Sequence, residues 1–265
     1  MPYFKYDDVG IFYIQEGEGE PIVLISGLGS KNTWLFQIPY FKERMMTITL
    51  HNRGTGKSSR PDYPYTIDMF MNDIIALLDH LNIREKIHLA GISMGGMIAQ
   101  YLALKYSDKV KTLILCATTP IHVGSSIIET QKMMKDFSWE QKFKVRLGAL
   151  YGRDFRKRLK KNHDLYEQLK QEFIEDGTEL KDWINQGAAI ANFDIKEQLY
   201  KIKQPTLILA GGEDSVIDIQ YSQILREKIP NATLQIIPNT GHRFIVEEPE
   251  KVNEIIWNFI KLSLD

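Results

Sequence analysis

The chain has 265 residues, of which 43% are hydrophobic and 25% charged, enough to bury a sizeable core in one α/β domain with an insertion. Lys and Arg number 33 against 34 Asp and Glu, so the formal net charge of -1 provides no field for gathering phosphate backbones or anionic lipid. A dedicated nucleic-acid or membrane-surface protein is thereby excluded.

In chain order, Met1-Pro2-Tyr3-Phe4-Lys5 lacks the basic start and apolar run of a signal peptide. No later apolar run approaches the roughly 18 to 20 residues of a membrane span, and the expected location is the cytoplasm. Two short runs, 3–6 and 10–15, followed by Glu16-Gly17-Glu18-Gly19, read as an antiparallel hairpin. Strands are then expected at 21–25, 46–50, 86–90, 112–116, 206–210 and 233–237, several of them apolar throughout, as in strands covered on both faces. Helical spacing appears at 67–81, 97–104 and 252–260. This alternation predicts a mostly parallel sheet with helices on both faces. The single cysteine, Cys116, rules out an intramolecular disulfide and a cysteine-based metal cluster, and its strand context makes it structural.

The alternation stops between residues 121 and 202, where helical stretches carry almost no strand signal. Met133, Met134, Phe137, Trp139, Phe143, Leu147, Leu150 and Tyr151 recur at roughly helical intervals beside Lys132, Lys135, Lys142, Lys144 and Arg146, the pattern of amphipathic helices lying on another surface. This segment is expected to form a helical cap on a core made of 1–120 and 203–265. The basic run Arg156-Lys157-Arg158-Leu159-Lys160-Lys161 reads as a solvated helix face.

The chemistry is concentrated in three turns. Gly91-Ile92-Ser93-Met94-Gly95-Gly96 follows a strand and precedes a helix, the context that turns G-x-S-x-G into a nucleophile elbow. Such a turn holds Ser93 strained at the strand tip, between small residues, with a helix N-terminus behind it. A serine hydroxyl needs a base. Of the six histidines only His242, in the loop Pro238-Asn239-Thr240-Gly241-His242, lies beyond the acid candidate, as the order serine, acid, histidine requires. The imidazole needs a carboxylate to orient it, and Asp214 in Gly211-Gly212-Glu213-Asp214-Ser215 sits just past a strand end, with Glu213 and Asp218 as alternatives. Oxyanion donors are expected from the backbone N–H of Met94 and from the turn Ser26-Gly27-Leu28-Gly29, at Leu28.

Gly54-Thr55-Gly56-Lys57-Ser58 ends like a phosphate-binding loop, but His51 stands where its first glycine belongs, and Pro61 and Pro64 interrupt the helix it needs. No zinc signature is present, so neither a metal nor a nucleotide cofactor is expected.

Together with Asn52-Arg53-Gly54-Thr55-Gly56-Lys57-Ser58, these motifs resemble the α/β-hydrolase superfamily across almost the whole chain. The stretch from Gly91 to Leu104 looks most like its capped carboxylesterase and 3-oxoadipate enol-lactonase branch. The resemblance implies the α/β-hydrolase fold: a mostly parallel central sheet of about eight strands with helices on both faces, a helical cap inserted after the sixth strand, no cofactor, and an acyl-enzyme on Ser93. Two positions depart from the family pattern: Ser26-Gly27 replaces a His-Gly pair, and His51 stands where relatives have an aspartate. Serine at the elbow separates the chain from the dehalogenases and epoxide hydrolases that use a carboxylate nucleophile.

The expected partner is a small-molecule carboxylic ester, bound in an apolar pocket to which Leu28, Trp34, Met94, Phe137, Trp139 and Trp183 contribute; no nucleic acid or membrane partner is expected, and homo-oligomerisation is left open. Lactone, carbon–carbon and perhydrolysis chemistry would use the same three residues, and a ligand-binding protein on this scaffold is the reading from outside enzymology.

Overall fold

In the computed structural model, which describes residues 2–122 and 126–264, the apolar runs assemble into one sheet. Its strands are β1 (Tyr3–Tyr6), β2 (Val9–Glu16), β3 (Pro21–Ile25), β4 (Met46–Leu50), β5 (Ile87–Ile92), β6 (Val110–Cys116), β7 (Thr206–Gly211) and β8 (Ala232–Ile237). They lie in the order β1-β2-β4-β3-β5-β6-β7-β8. The pairs β1–β2 and β2–β4 are antiparallel, and every other neighbouring pair is parallel. The expected eight-stranded, mostly parallel architecture is therefore present, with the hairpin at one edge.

The helices are α1 (Ile38–Phe41), α2 (Ile67–His80), α3 (Met94–Lys105), α4 (Ser126–Met133), α5 (Trp139–Leu150), α6 (Arg153–Leu159), α7 (His163–Asp176), α8 (Leu180–Ile190), α9 (Ile219–Lys228), α10 (Phe244–Glu247) and α11 (Pro249–Lys261). Alternation along the strands divides the core. Val23, Ile25, Leu89 and Leu113 pack with residues of α2, α3 and α9 on one face, whereas Ile22, Leu24, Ala90 and Ile114 pack with α1, α10 and α11 on the other. Local signals agree with this placement. Thr66 caps α2 through Met69 N–H, and Pro249 opens α11 in its first turn, where no N–H donor is needed.

The helices α4 to α8 leave the sheet after β6. Both ends of this excursion are stitched together: Ile121 bridges Asp194, and Ile195 N–H donates to Pro120 O at 3.0 Å. Towards the end of the excursion Ala189, Phe193, Ile195, Leu199 and Ile202 pack in the core cluster of the sheet. Among the described residues no helix is long and apolar enough to cross a membrane.

Candidate active site

β5 ends at Ile92 and α3 begins at Met94, so Ser93 alone makes the turn, at φ 56° and ψ -122°. A non-glycine residue in this region is strained, and the surroundings must hold it there. They do so from both sides. Ser93 N–H donates to Cys116 O at 3.0 Å, extending the sheet pairing by one residue, and Thr118 Oγ1 donates to Ser93 O at 2.7 Å. Gly91 is required because a Cβ there would run into the backbone carbonyl of Gly95. Burial of Cys116 on the neighbouring strand pushes its thiol up, consistent with a structural role.

The second turn carries Asp214. Its Oδ1 accepts the N–H groups of Val216 (2.8 Å) and Ile217 (3.0 Å), which fixes the carboxylate, and Oδ2 accepts from His242 Nδ1 at 2.8 Å. A carboxylate only accepts, so Nδ1 carries the proton and Nε2 is left free. Both side chains are almost fully buried. Glu213 turns the other way, accepting Arg153 N–H and pairing with Arg153, and Asp218 caps α9. The structure thus resolves the three carboxylate candidates in favour of Asp214 as the partner of His242.

The loop bearing His242 is itself clamped. Glu213 N–H donates to Thr240 O at 2.7 Å, Arg243 N–H to Leu150 O at 2.9 Å, and the buried Glu247 carboxylate accepts Gly241 N–H at 2.8 Å and Gly152 N–H at 3.1 Å. Burial pushes Glu247 up to about 7 in spite of these donors. No motif in the sequence singles out Glu247.

The Ser26–Gly29 turn lies against Ser93. A Cβ on Gly27 would sit 3.2 Å from Ser93 Cβ and 3.3 Å from Ile92 O, a contact tight enough that a larger residue would press the turn away from the nucleophile by a few tenths of an ångström. Asn52 Nδ2 donates to Ser26 O at 3.0 Å, and Gln186 of α8 accepts Gly29 N–H at 3.0 Å while donating to Gly54 O at 2.9 Å. The Asn52–Ser58 segment is thus a buttress for this turn, anchored in turn by the buried bidentate Arg53–Asp73 pair. His51 accepts Lys57 N–H through Nδ1, and its burial lowers it to about 4. Among the described residues, the N–H groups of Leu28 and Met94 have no protein acceptor.

Ser93, His242, Leu28 and Ser215 line a cavity of about 550 Å³ whose opposite wall comes from α4, α5 and the α7–α8 segment. Trp139 and Trp183 are in that wall, with Trp183 packed against Gly29. Two other aromatics expected there are not. Trp34 is fully buried among Ile22, Leu24, Ile38 and Phe41, beneath the sheet face rather than at its edge. Phe137 sits in the turn after α4, 42% exposed and away from the cavity. Conversely, Arg146, read from the sequence only as one of the basic residues beside the apolar positions of an amphipathic helix, lines the cavity, as do Asp176 and Arg243.

Residues 20–249 match the family model described as alpha/beta hydrolase fold. Over 98% of this chain and 99% of the relative, the sequence is 30% identical to 3-oxoadipate enol-lactonase 2 of Acinetobacter baylyi. It is 25% identical to the 2-hydroxy-6-oxo-6-(2'-aminophenyl)hexa-2,4-dienoic acid hydrolase of Metapseudomonas resinovorans, over 96% of this chain and 88% of that one. The crystal structure of the enol-lactonase from Burkholderia xenovorans LB400 superimposes with a TM-score of 0.88 at 21% identity, covering 98% of this chain and all of that one, a likeness of fold.

Proposed function

Because the chain belongs to the α/β-hydrolase family, and is a hydrolase by that kinship, we propose that it cleaves small carboxylic esters through an acyl-enzyme on Ser93. The observation that carries this reading is the buried Asp214–His242 hydrogen bond opening on the cavity that Ser93 lines at a strained turn. In the proposed reaction Ser93 Oγ attacks the ester carbonyl while His242 Nε2 takes its proton. Asp214 holds the imidazole in the tautomer that leaves Nε2 basic. Charge developing on the carbonyl oxygen is received by the N–H groups of Leu28 and Met94, the second at the N-terminus of α3. Protonated His242 then delivers its proton to the leaving alcohol, and water, activated by the same imidazole, releases the acid. Trp139 and Trp183 provide apolar surface for the substrate, and the chemistry calls for no cofactor.

A cyclic ester is the second reading, favoured by the full-length likeness to the Acinetobacter enol-lactonase; the mechanism is the same except that the leaving alcohol stays tethered. The test is initial rates on p-nitrophenyl esters of graded acyl length and on five- and six-membered lactones, for the wild type and Ser93→Ala. Ser93-dependent rates well above buffer are expected, and the ratio of lactone to open-chain kcat/KM assigns the class. No Ser93-dependent rate on any substrate would refute the proposal and favour a ligand-binding protein on a hydrolase scaffold.

A further inference from the structure

Leu28, whose N–H is the proposed first donor to the oxyanion, stands between two glycines, and the second of them, Gly29, lies at φ 64°. A turn with glycine on both sides of the donor has many conformations open to it, yet a donor serves an oxyanion only within about 2.7–3.1 Å of where the charge develops. Something must hold it. At Ser26 the core does so: Asn52 Nδ2 donates to Ser26 O at 3.0 Å, and Thr33 N–H donates to Ser26 Oγ at 3.0 Å. At the other end of the turn the hold comes from the helices inserted after β6. Gln186 Oε1 accepts Gly29 N–H at 3.0 Å, Thr178 Oγ1 donates to Gly29 O at 3.4 Å, and the Trp183 indole occupies the place where a Gly29 Cβ would be.

Gln186 is fully buried and, unlike Trp183 one turn before it, does not line the cavity. Both ends of its amide are used, since Nε2 donates to Gly54 O at 2.9 Å. α8 is itself tied to the core. Arg60 bridges Asp182 Oδ2 (2.9 Å) and Gly56 O (3.2 Å), while Asn185 Nδ2 donates to Asp62 Oδ1 at 3.0 Å and its carbonyl accepts Tyr65 N–H at 2.9 Å. A methionine would fill the same space as Gln186. What the amide adds is direction: an acceptor aimed at Gly29 N–H fixes the plane of the Leu28–Gly29 peptide and, with Ser26 held at the other end, the bearing of Leu28 N–H.

We infer that Gln186 is a positioning residue for the reaction: through Gly29 it sets Leu28 N–H for the oxyanion, so that α8 governs transition-state stabilisation as well as the shape of the pocket. This rests on the acyl-transfer reading of Ser93 and Leu28. Without the amide, Gly29 N–H and Gly54 O both lose their partner and the turn relaxes, while Trp139 and Trp183 keep their surface for the substrate. The loss therefore falls on kcat and spares KM.

Gln186→Met keeps the volume without the amide, Gln186→Asn is a methylene too short for Gly29, and Gln186→Glu keeps an acceptor for Gly29 N–H. Steady-state rates are measured on the p-nitrophenyl ester that the wild type turns over fastest. Inhibition by an alkyl trifluoromethyl ketone is compared with that by the methyl ketone of the same chain. In the first, Ser93 Oγ bonds to the carbonyl carbon, the π pair moves to oxygen and the proton goes to His242 Nε2; the second binds without adding.

In Gln186→Met and Gln186→Asn kcat should fall about ten- to a hundredfold, less than for outright loss of a donor, with KM changed less than about threefold. Affinity for the trifluoromethyl ketone should fall in step with kcat/KM, and that for the methyl ketone by less than about threefold. Gln186→Glu should recover part of the loss. Thermal unfolding shows which variants are folded, and either of the first two suffices. Folded loss variants that keep wild-type kcat or weaken both ketones alike, or a folded Gln186→Glu no faster than Gln186→Met, overturn the inference, while Ser93-dependent turnover leaves the hydrolase reading standing. Absence of Ser93-dependent turnover in the wild type refutes that reading and the positioning role with it.

Discussion

Glu247 occupies the junction where the His242 loop meets the α5–α6 turn, and its protonation should be visible in the stability of the protein. The carboxyl is 3% exposed, and burial raises it from 4.5 to about 7 against the pull of Gly152 N–H, Gly241 N–H and Arg158, while Glu248 adds repulsion. A carboxyl raised in the folded state binds its proton more tightly there than in the unfolded chain. Its contribution therefore weakens as pH rises from 4.5 towards 7 and is lowest above that window. At about 1.4 kcal/mol per pH decade the ionised form costs about 3 kcal/mol relative to the protonated one. Glu247→Gln removes the titration yet keeps an amide oxygen where Oε1 accepts both N–H groups. Between pH 4.5 and about 8, the stability difference should move by about 3 kcal/mol in favour of the variant, a relative Tm change of about 6–12 °C. Differential scanning fluorimetry across that range reads it directly. A Tm difference between the two proteins that is the same at every pH would refute the reasoning, whatever its sign.

Two other substitutions probe the site. Asp214→Asn can keep its oxygen on the Val216 and Ile217 N–H groups only by turning an NH2 donor towards His242 Nδ1, which moves the imidazole proton to Nε2 and removes the base; kcat should fall about a thousand- to ten-thousandfold with KM nearly unchanged in steady-state assays. Gly91→Ala places a Cβ on the Gly95 backbone, which no side-chain rearrangement relieves, so denaturant titration should show a loss of about 3 kcal/mol or more, or no soluble protein.

Much of this was legible in residue order because the relevant side chains sit where strands stop. β3, β4 and β7 coincide with their apolar runs to within a residue, and Ser93 and Asp214 each follow a strand end within a few positions. The helix after Ser93 begins three residues before its apolar pattern, since Gly95 and Gly96 carry no periodicity and are kept for close packing, the first against the Ile25–Ser26 backbone and the second against the Thr118 side chain. The cavity wall was far less readable. Trp34 and Trp183 are equally apolar as letters, but one is packed beneath the sheet and the other over Gly29, a distinction made by tertiary contacts alone. Arg146 stands among the basic residues of α5 with nothing in the sequence to separate it from the exposed Lys144, and only the position of α7 and α8 turns its side of the helix towards the cavity. Glu247 carries no local signal, because its partners Gly152 and Gly241 come from two distant turns.

The most direct test of the central claim is the covalent intermediate. Wild-type protein quenched within milliseconds to seconds of mixing with p-nitrophenyl acetate is digested and mapped by mass spectrometry, beside Ser93→Ala. One acetyl group on the peptide containing Ser93, forming at the rate of the p-nitrophenol burst and absent from the variant, is the result predicted. Turnover that proceeds with no acyl group on Ser93, or that persists in the variant, would contradict it.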